Sequence, residues 1–319
     1  KNGEIWNGKL TEWYENGQKR SEGKYKDGEK DGLWTWWYES GQKRIAGNYK
    51  DGKRAGIWTS WDSLGVEHSA SDWFNKGYDA DENEEYDKAI SFLEKAIELN
   101  PDDALAYYNL GIAYRKQGNF TKAIESYEKA IKINPDYADA YNNLGIAYNE
   151  QGNFTKAIES YEKAIKLNPD YAFAYNNLGI AYKDQGNFTK AIESYEKAIK
   201  INPDDADAYN NMGNAYRKQG NFTKAIESYE EAIELNPDYA DAYNNMGNAY
   251  NEQGNFTKAI ESYEKAIKIN PDYALAYWNR SIAKDALGDK SGGLQDTKKA
   301  ARLGHQGAQD WLKRNGYDW

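Results

Sequence analysis

The sequence has no cysteine, only two histidines and no long apolar run. Without cysteine there can be no disulfide, thiolate metal site or cysteine nucleophile, and the compartment stays open, with an exported or cell-surface location slightly favoured over the cytoplasm. No run approaches the ~20 apolar residues of a membrane-spanning helix, so no transmembrane segment is predicted. His68 and His305 lack any metal-ligand spacing. We therefore expect no metal and no cofactor.

Basic charge is also in short supply. The 319 residues carry a net charge of −10, and residues 1–68 contribute +1 of it, so the acidic remainder carries −11. An acidic surface is a poor partner for nucleic acid or an anionic membrane, and neither is expected to bind. The mean hydropathy of −1.01 would suggest a weak core. The 28 tyrosines and 11 tryptophans compensate, because aromatic side chains bury large areas.

Proline is scarce and strictly placed. All six prolines follow an asparagine and stand 34 residues apart. They are Pro101, Pro135, Pro169, Pro203, Pro237 and Pro271. The sentence QGNFTKAIESYEKAIKINPDY, which begins at Gln117, returns almost unchanged at the same step. A period of this length indicates stacked supersecondary units, and such arrays usually serve as binding surfaces.

Each 34-residue unit predicts two helices. In repeat 104–137, Tyr107, Leu110 and Tyr114 fall on one face of a first helix. Gly118 suits the left-handed position that ends it, and the Asn-Pro pair at Pro135 stops the second helix. Six such units begin at Ala70, Ala104, Ala138, Ala172, Ala206 and Ala240.

These units resemble the tetratricopeptide repeat (TPR), whose pattern is aromatic-x-x-Leu-Gly-x-x-Tyr, then Ala, aromatic and Ala, then Pro. The resemblance implies a mostly α fold, a solenoid in which helix pairs form a right-handed superhelix. From Ala274 the pattern decays, which makes 274–303 a divergent seventh unit. We expect residues 304–319 to form a capping helix and a tail, because a terminal repeat must cover an apolar face.

Residues 1–62 follow a different period, of 24 residues, marked by Gly8, Gly32 and Gly56. Short aromatic runs between Asn-Gly, Ser-Gly and Asp-Gly pairs predict a small antiparallel β-meander with strands near 9–14, 18–25, 33–38, 42–49 and 57–61. The stretch resembles the variant MORN repeats of bacterial proteins. Residues 63–69 are predicted to be a linker, short enough for the sheet to pack on the first helical repeat.

Differences between the near-identical repeats point to a binding face. Counted from each repeat's first alanine, the first helix varies at positions 2, 9, 12 and 13, which the TPR resemblance places on the concave side. Asparagine fills position 6 and much of position 5. The amides that we expect to face a peptide are Asn109, Asn143, Asn177, Asn211 and Asn245 at position 6, and Asn142, Asn176, Asn210 and Asn244 at position 5. Amides can donate to and accept from a peptide backbone, but they can equally be copied consensus residues.

Two basic pairs and a few aromatic residues complete this predicted surface. They are Arg115, Lys116, Arg217 and Lys218, with Tyr108 and Phe173. We predict that an extended or acidic segment of a partner binds there. The recurring Asn-Phe-Thr is interpreted as the turn between helices, although it fits a glycosylation acceptor.

The predicted function is a non-enzymatic scaffold that binds a peptide or protein. The alternative is a structural subunit that assembles head to tail into oligomers or filaments, because aromatic residues are concentrated at both ends of the chain. The residues expected to self-associate are Trp34, Trp36, Trp37, Trp311, Tyr317 and Trp319. No Ser/His/Asp set or glycine-rich phosphate loop is apparent, so no catalysis is expected.

Overall fold

The computed structural model describes residues 6–319, which form two compact units divided after Gln151. The described part of the first unit contains six strands and five helices. The strands are β1 (Gly8–Trp13), β2 (Lys19–Lys26), β3 (Glu29–Trp37), β4 (Lys43–Lys50), β5 (Lys53–Trp61) and β6 (Glu67–His68). The helices are α1 (Ala70–Glu82), α2 (Tyr86–Leu99), α3 (Ala104–Lys116), α4 (Phe120–Ile133) and α5 (Ala138–Glu150).

The second unit, residues 152–319, is entirely helical. Its helices are α6 (Phe154–Leu167), α7 (Ala172–Asp184), α8 (Phe188–Ile201), α9 (Ala206–Lys218), α10 (Phe222–Leu235), α11 (Ala240–Glu252), α12 (Phe256–Ile269), α13 (Ala274–Ala286), α14 (Lys290–Arg302) and α15 (Gln306–Arg314). The predicted fold class is confirmed: helix pairs of the tetratricopeptide type follow an antiparallel sheet.

The sheet is a meander in which each strand pairs with the next. Asp27 and Gly28 both have positive φ, as do Asp51 and Gly52, which is the requirement of a tight type I′ hairpin turn. These two-residue turns let β3 and β5 begin four residues earlier than predicted. The prediction of an unstructured linker at 63–69 is wrong, because β6 lies inside it and pairs with β5. Residues 1–5 of the predicted meander lie outside the described residues.

The 24-residue period has a steric cause. Glycine in β2 and β4 leaves room for a tryptophan ring from the next strand, since a Cβ on Gly23 or Gly47 would lie 2.2–2.3 Å from the ring of Trp34 or Trp58. The two rings are almost fully buried, at 2% and 4% exposure. Each unit therefore contributes one glycine and one tryptophan to the same stack.

The sheet packs on the first helical repeat, as predicted. Ile45 and Trp58 share a core with Trp73 of α1 and with Leu99 of α2. The indole of Trp73 also donates a hydrogen bond to Ser60 Oγ at 2.6 Å. The sheet thereby covers the apolar end of the first repeat.

Helix pairing depends on a glycine at position 8 of the first helix. A Cβ on Gly179 would lie 2.5 Å from the Tyr195 ring, and Gly247 stands in the same relation to Tyr263. Only glycine lets the two helices of a repeat approach this closely around a tyrosine. Asn187 caps the start of α8 by accepting from Lys190 N, and the other four Asn-Phe-Thr turns do the same. This geometry supports the turn interpretation of Asn-Phe-Thr.

The last helix closes the second unit. Ala308 and Leu312 of α15 are fully buried against Ala300 and Ala301 of α14. Burying these methyl groups keeps the apolar side of the divergent last repeat away from water.

Candidate functional site: the variable face of the repeats

We call positions 2, 5, 6, 9, 12 and 13 of the first helices the variable face. Residues 173, 176, 180 and 183 fall on one side of α7, because offsets of three, seven and ten residues return to similar angles on a helix. Phe173, at position 2, is 67% exposed, whereas Leu105 and Leu275 at the same position are 47% and 40% exposed. The variable face thus presents apolar side chains to solvent at intervals.

The asparagine columns are tied together between neighbouring repeats. Asn245 Nδ2 donates to Asn210 Oδ1 at 3.0 Å, and Asn211 Nδ2 donates to Asn176 Oδ1 at 3.3 Å. In the first unit Asn143 Nδ2 donates in the same manner to the hydroxyl of Tyr108 at 3.0 Å. A position-6 amide therefore satisfies the position-5 group of the preceding repeat.

This amide ladder corrects part of the predicted binding site. Asn142, Asn210 and Asn244 are buried, at 2–7% exposure, so they cannot lie against a ligand. Asn176, Asn177, Asn211 and Asn245 are half-buried, as are Asn109 and Asn143. Asn109 Nδ2 donates to Leu105 O at 2.9 Å. The buried amides stabilise the stack, because a buried polar group needs a partner.

The basic pairs are also engaged within the chain. Arg115 forms an ion pair with Glu150 at 3.3 Å, and Lys116 pairs with Asp81 at 2.7 Å. In the second unit Arg217 pairs with Glu252, while Lys218 is exposed. Each pair joins first helices of consecutive repeats. Because three of the four cations are already matched, they give little support to the predicted acidic ligand.

A tyrosine covers position 2 in two repeats of the second unit. The hydroxyl of Tyr239 donates to Asp207, and that of Tyr273 donates to Asp241. Asn210 Nδ2 donates to the Tyr239 hydroxyl in turn, at 3.4 Å. Burial raises the pKa of both tyrosines, and the adjacent aspartates raise it further. We call this contact between the last residue of a repeat and its position 2 the Tyr–Asp clasp.

A second contact links position 9 to the second helix. The hydroxyls of Tyr229 and Tyr263 donate to Asn214 and Asn248 at 2.9 and 2.8 Å. Repeat 172–205 has Ile180 at position 9, and the buried hydroxyl of its Tyr195 has no hydrogen-bond partner among the described residues. Sequence reasoning missed both contacts. The signal was present, since Asp at position 2 and Tyr at position 34 occur together in repeats 206–239 and 240–273.

Tyr108 behaves differently from the asparagines at its position. Its ring packs against Tyr137 with centroids 5.0 Å apart, and it is half-buried. Burial raises the pKa of Tyr137 to about 12. The predicted role of Tyr108 as an open ligand contact is thus replaced in part by this aromatic pair, because both rings gain from leaving water.

The residues predicted to self-associate separate into buried and exposed groups. Trp34 is 2% exposed, and Trp36 stacks on it at 5.6 Å and packs against the sheet core, so these two do not form a free contact surface. Trp37 is half-buried, with the Lys19 ammonium 5.5 Å from its ring centroid. The expectation of an unsupported aromatic tail is also wrong for Trp311, which packs on the cap core.

The end of the chain remains open to solvent. Tyr317 stacks on Trp311 at 6.1 Å but is still 42% exposed, and Trp319 is 44% exposed. These two rings are the part of the predicted self-association set that a second molecule can reach.

The described residues contain no group of three or more potential metal ligands. His68 Nε2 lies 3.1 Å from Asp62 Oδ2 and 3.4 Å from Lys76 Nζ, and it supports the junction of β6 and α1. His305 caps α15 by accepting from Ala308 N at 3.1 Å, and burial lowers its pKa. Within residues 6–319 no helix is long and apolar enough to cross a membrane.

The folded repeats define a helical-repeat scaffold. Comparison with family models gives matches to "TPR repeat" over 82–118, 113–152, 147–186, 181–220 and 213–254, and to "Tetratricopeptide repeat" over 240–273. Residues 6–27 and 30–51 match "MORN repeat variant". The chain therefore belongs to the tetratricopeptide repeat family and carries variant MORN repeats at its N-terminal end. This fold is typically a non-enzymatic scaffold for protein interactions.

Several solved structures are similar. MamA is 33% identical over 54% of this chain and 93% of that protein, with a TM-score of 0.48. YrrB, described as a TPR protein with an unusual peptide-binding site, is 28% identical over 58% of this chain and 95% of its own, with a TM-score of 0.47. A tetratricopeptide repeat protein from Parabacteroides merdae shares the fold, with a TM-score of 0.63 and 23% identity over 76% of this chain and 97% of that one. No curated protein matched the sequence.

Proposed function

We propose that this scaffold binds an extended segment of a partner protein along the variable face. The observation that carries the proposal is the contrast between positions. The second helices are nearly identical in five repeats, whereas position 2 alternates between exposed apolar residues and aspartate. Exposed apolar side chains beside polar groups favour a protein ligand, since anchors in such interfaces are apolar or aromatic.

The charges of the face favour a basic or neutral segment over an acidic one. Arg115, Lys116 and Arg217 are paired with carboxylates of neighbouring repeats, whereas Asp139 and Asp207 are exposed at position 2. Complementary charge mainly sets specificity and the rate of encounter. The predicted acidic ligand is therefore replaced in our proposal by one of neutral or positive charge.

The other elements serve this scaffold. We propose residues 1–62 and 304–319 as terminal modules that flank the seven repeats of 70–303. The sheet covers the first repeat within its own unit, and α15 covers the last repeat within the other. Covered ends keep a repeat array from associating through its apolar termini.

Peptide-display selection on the full chain tests the proposal. Selected peptides should bind a Leu105→Ala, Leu275→Ala variant at least roughly tenfold more weakly, which corresponds to about 1.4 kcal/mol. A matched control changes two exposed second-helix residues, Glu125→Ala and Glu261→Ala, and should bind as the wild type does. Selection that yields no peptide, or peptides that bind all three proteins equally, would contradict binding along this face.

The alternative function, head-to-tail self-assembly, is supported by one observation in the described chain. Tyr317 and Trp319 remain more than 40% exposed next to an ordered capping helix. The tryptophans of the sheet give no such support, because they form its own core. If the chain does assemble, its contact should therefore involve the tail and a surface other than the sheet core.

A further inference from the structure

Repeat 172–205 lacks the Tyr–Asp clasp of the two repeats that follow it. Phe173 stands where they have Asp207 and Asp241, and Asp205 stands where they have a tyrosine. The Asp205 side chain instead caps α9 by accepting from the backbone of Asp207 and Ala208, both at 3.1 Å. No phenol is available to cover position 2, and Phe173 is the most exposed aromatic ring in residues 6–319.

The same repeat is also apolar at position 9. Ile180 replaces the asparagine of the next two repeats, and it lies two helical turns from Phe173 on the same side of α7. Phe173 and Ile180 form an apolar stripe, with half-buried Asn176 between them. In repeats 206–239 and 240–273 the two corresponding positions are aspartate and asparagine. The stripe is therefore local to one repeat of the second unit.

The tail of the chain has the chemistry that fits this stripe. Tyr317 and Trp319 are exposed rings, and Lys313 and Arg314 precede them. Residues 290–319 carry six basic and three acidic residues, a net charge of +3, whereas residues 172–273 carry ten basic and sixteen acidic residues, a net charge of −6. Opposite net charges attract the two surfaces and orient their encounter.

A molecule cannot place its own tail on its own stripe. The five residues after α15 reach at most roughly 18 Å when fully extended. The first helices α9, α11 and α13 come between α7 and the cap in the chain. Packed helices lie about 8–10 Å apart, so the intervening helices require about 30 Å or more. The tail must come from another molecule.

We propose that the stripe of Phe173 and Ile180 binds the aromatic tail, residues 315–319, of a second copy of this chain. The proposal rests on the proposed function, because it uses the variable face and names its ligand. Docking of an aromatic ring on Phe173 replaces the phenol that the neighbouring repeats supply themselves. Such a contact joins two different surfaces, so it closes into a ring or continues as a filament.

Sedimentation velocity of the full chain at increasing concentration is the first test. The wild type should form larger species, and a Phe173→Asp variant should stay monomeric, because it places at position 2 the residue found in the next two repeats. Leu275→Asp is the matched control: it makes the same change at the same position of another repeat and should associate as the wild type does. Phe173 and Leu275 are exposed, so both variants should keep the wild-type circular dichroism spectrum.

A labelled peptide of residues 312–319 is the second test. It should bind a chain that ends at Gly316, and Phe173→Asp should weaken this binding at least roughly tenfold, or about 1.4 kcal/mol. A wild type that remains monomeric, or association that survives Phe173→Asp, would overturn the proposal. Loss of association on removing residues 317–319 without any effect of Phe173→Asp would overturn it too, since the tail would then dock elsewhere. Display-selected peptides that still depend on Leu105 and Leu275 would leave the proposed function standing in each of these cases.

Discussion

Two tyrosines at the same position of their repeats should respond differently to loss of the hydroxyl. Tyr195 and Tyr263 are both fully buried, and each ring packs on a glycine of the first helix. The hydroxyl of Tyr263 donates to Asn248 at 2.8 Å. The Tyr195 hydroxyl has no such partner among the described residues, because Ile180 occupies the equivalent position. Replacement by phenylalanine keeps the ring and removes only the oxygen.

The expected magnitudes follow from these contacts. Tyr263→Phe removes a hydrogen bond and should lower the free energy of unfolding by about 1 kcal/mol. Tyr195→Phe removes a buried, unpaired hydroxyl, whose burial costs roughly 1–3 kcal/mol, so this variant should be neutral or more stable. The two variants should therefore differ by about 1–2 kcal/mol, although the substitution is chemically the same.

Urea unfolding followed by circular dichroism measures the difference. Repeat arrays can unfold in more than one step, so the dependence on urea must stay the same in both variants before midpoints are compared. Ile180→Asn provides a reciprocal check, since it offers Tyr195 the partner that Asn248 gives Tyr263. Equal destabilisation by the two Tyr→Phe substitutions, or a larger loss for Tyr195→Phe, would refute the assignment of the unpaired hydroxyl.

Three further outcomes are expected. Gly179→Ala places a Cβ 2.5 Å from the Tyr195 ring and should destabilise the chain by roughly 1–3 kcal/mol in the same urea assay. Burial raises the pKa of the core tyrosines above the ordinary value of 10.0, so the stability present below pH 10 should be lost as the pH rises further, with tyrosinate absorbance and loss of helix changing together. Lys9 and Lys19 lower the pKa of Glu22 from 4.5 to about 2, so its contribution, complete above pH 4.5, should disappear as the pH falls towards 2. Glu22→Gln should remove that part of the acid dependence, and an unchanged acid titration would contradict the ion pairs.

Most of the fold could be predicted because its determinants are local. An Asp-Gly pair accepts the two positive φ angles of a type I′ turn, and the predicted hairpins formed at Asp27 and Asp51. Glycine at position 8 and tyrosine at position 24 fit each other inside one repeat, so the helix pair follows from 34 residues of sequence. The two-residue strand β6 was missed, since it is stabilised only by pairing with β5 and by the packing of His68 on Trp73.

The candidate site was less predictable because it depends on contacts between repeats. Asn210 and Asn245 are 35 residues apart, and nothing near either one indicates that the first is buried as an acceptor for the second. Arg217 read alone is a free cation, whereas in the folded chain it is paired with Glu252. Sequence comparison correctly located the variable positions but could not tell which of their polar groups were already satisfied.

The sequence by itself determined the repeat lengths, the helix and strand classes and the family, because steric fit and capping act over a few residues. The tertiary structure decided which side chains remain accessible. It buried Trp34 in the sheet and left Phe173 and Trp319 exposed. The physical reason is that exposure and hydrogen-bond satisfaction are properties of a packed neighbourhood, and that neighbourhood is assembled from residues far apart in the chain.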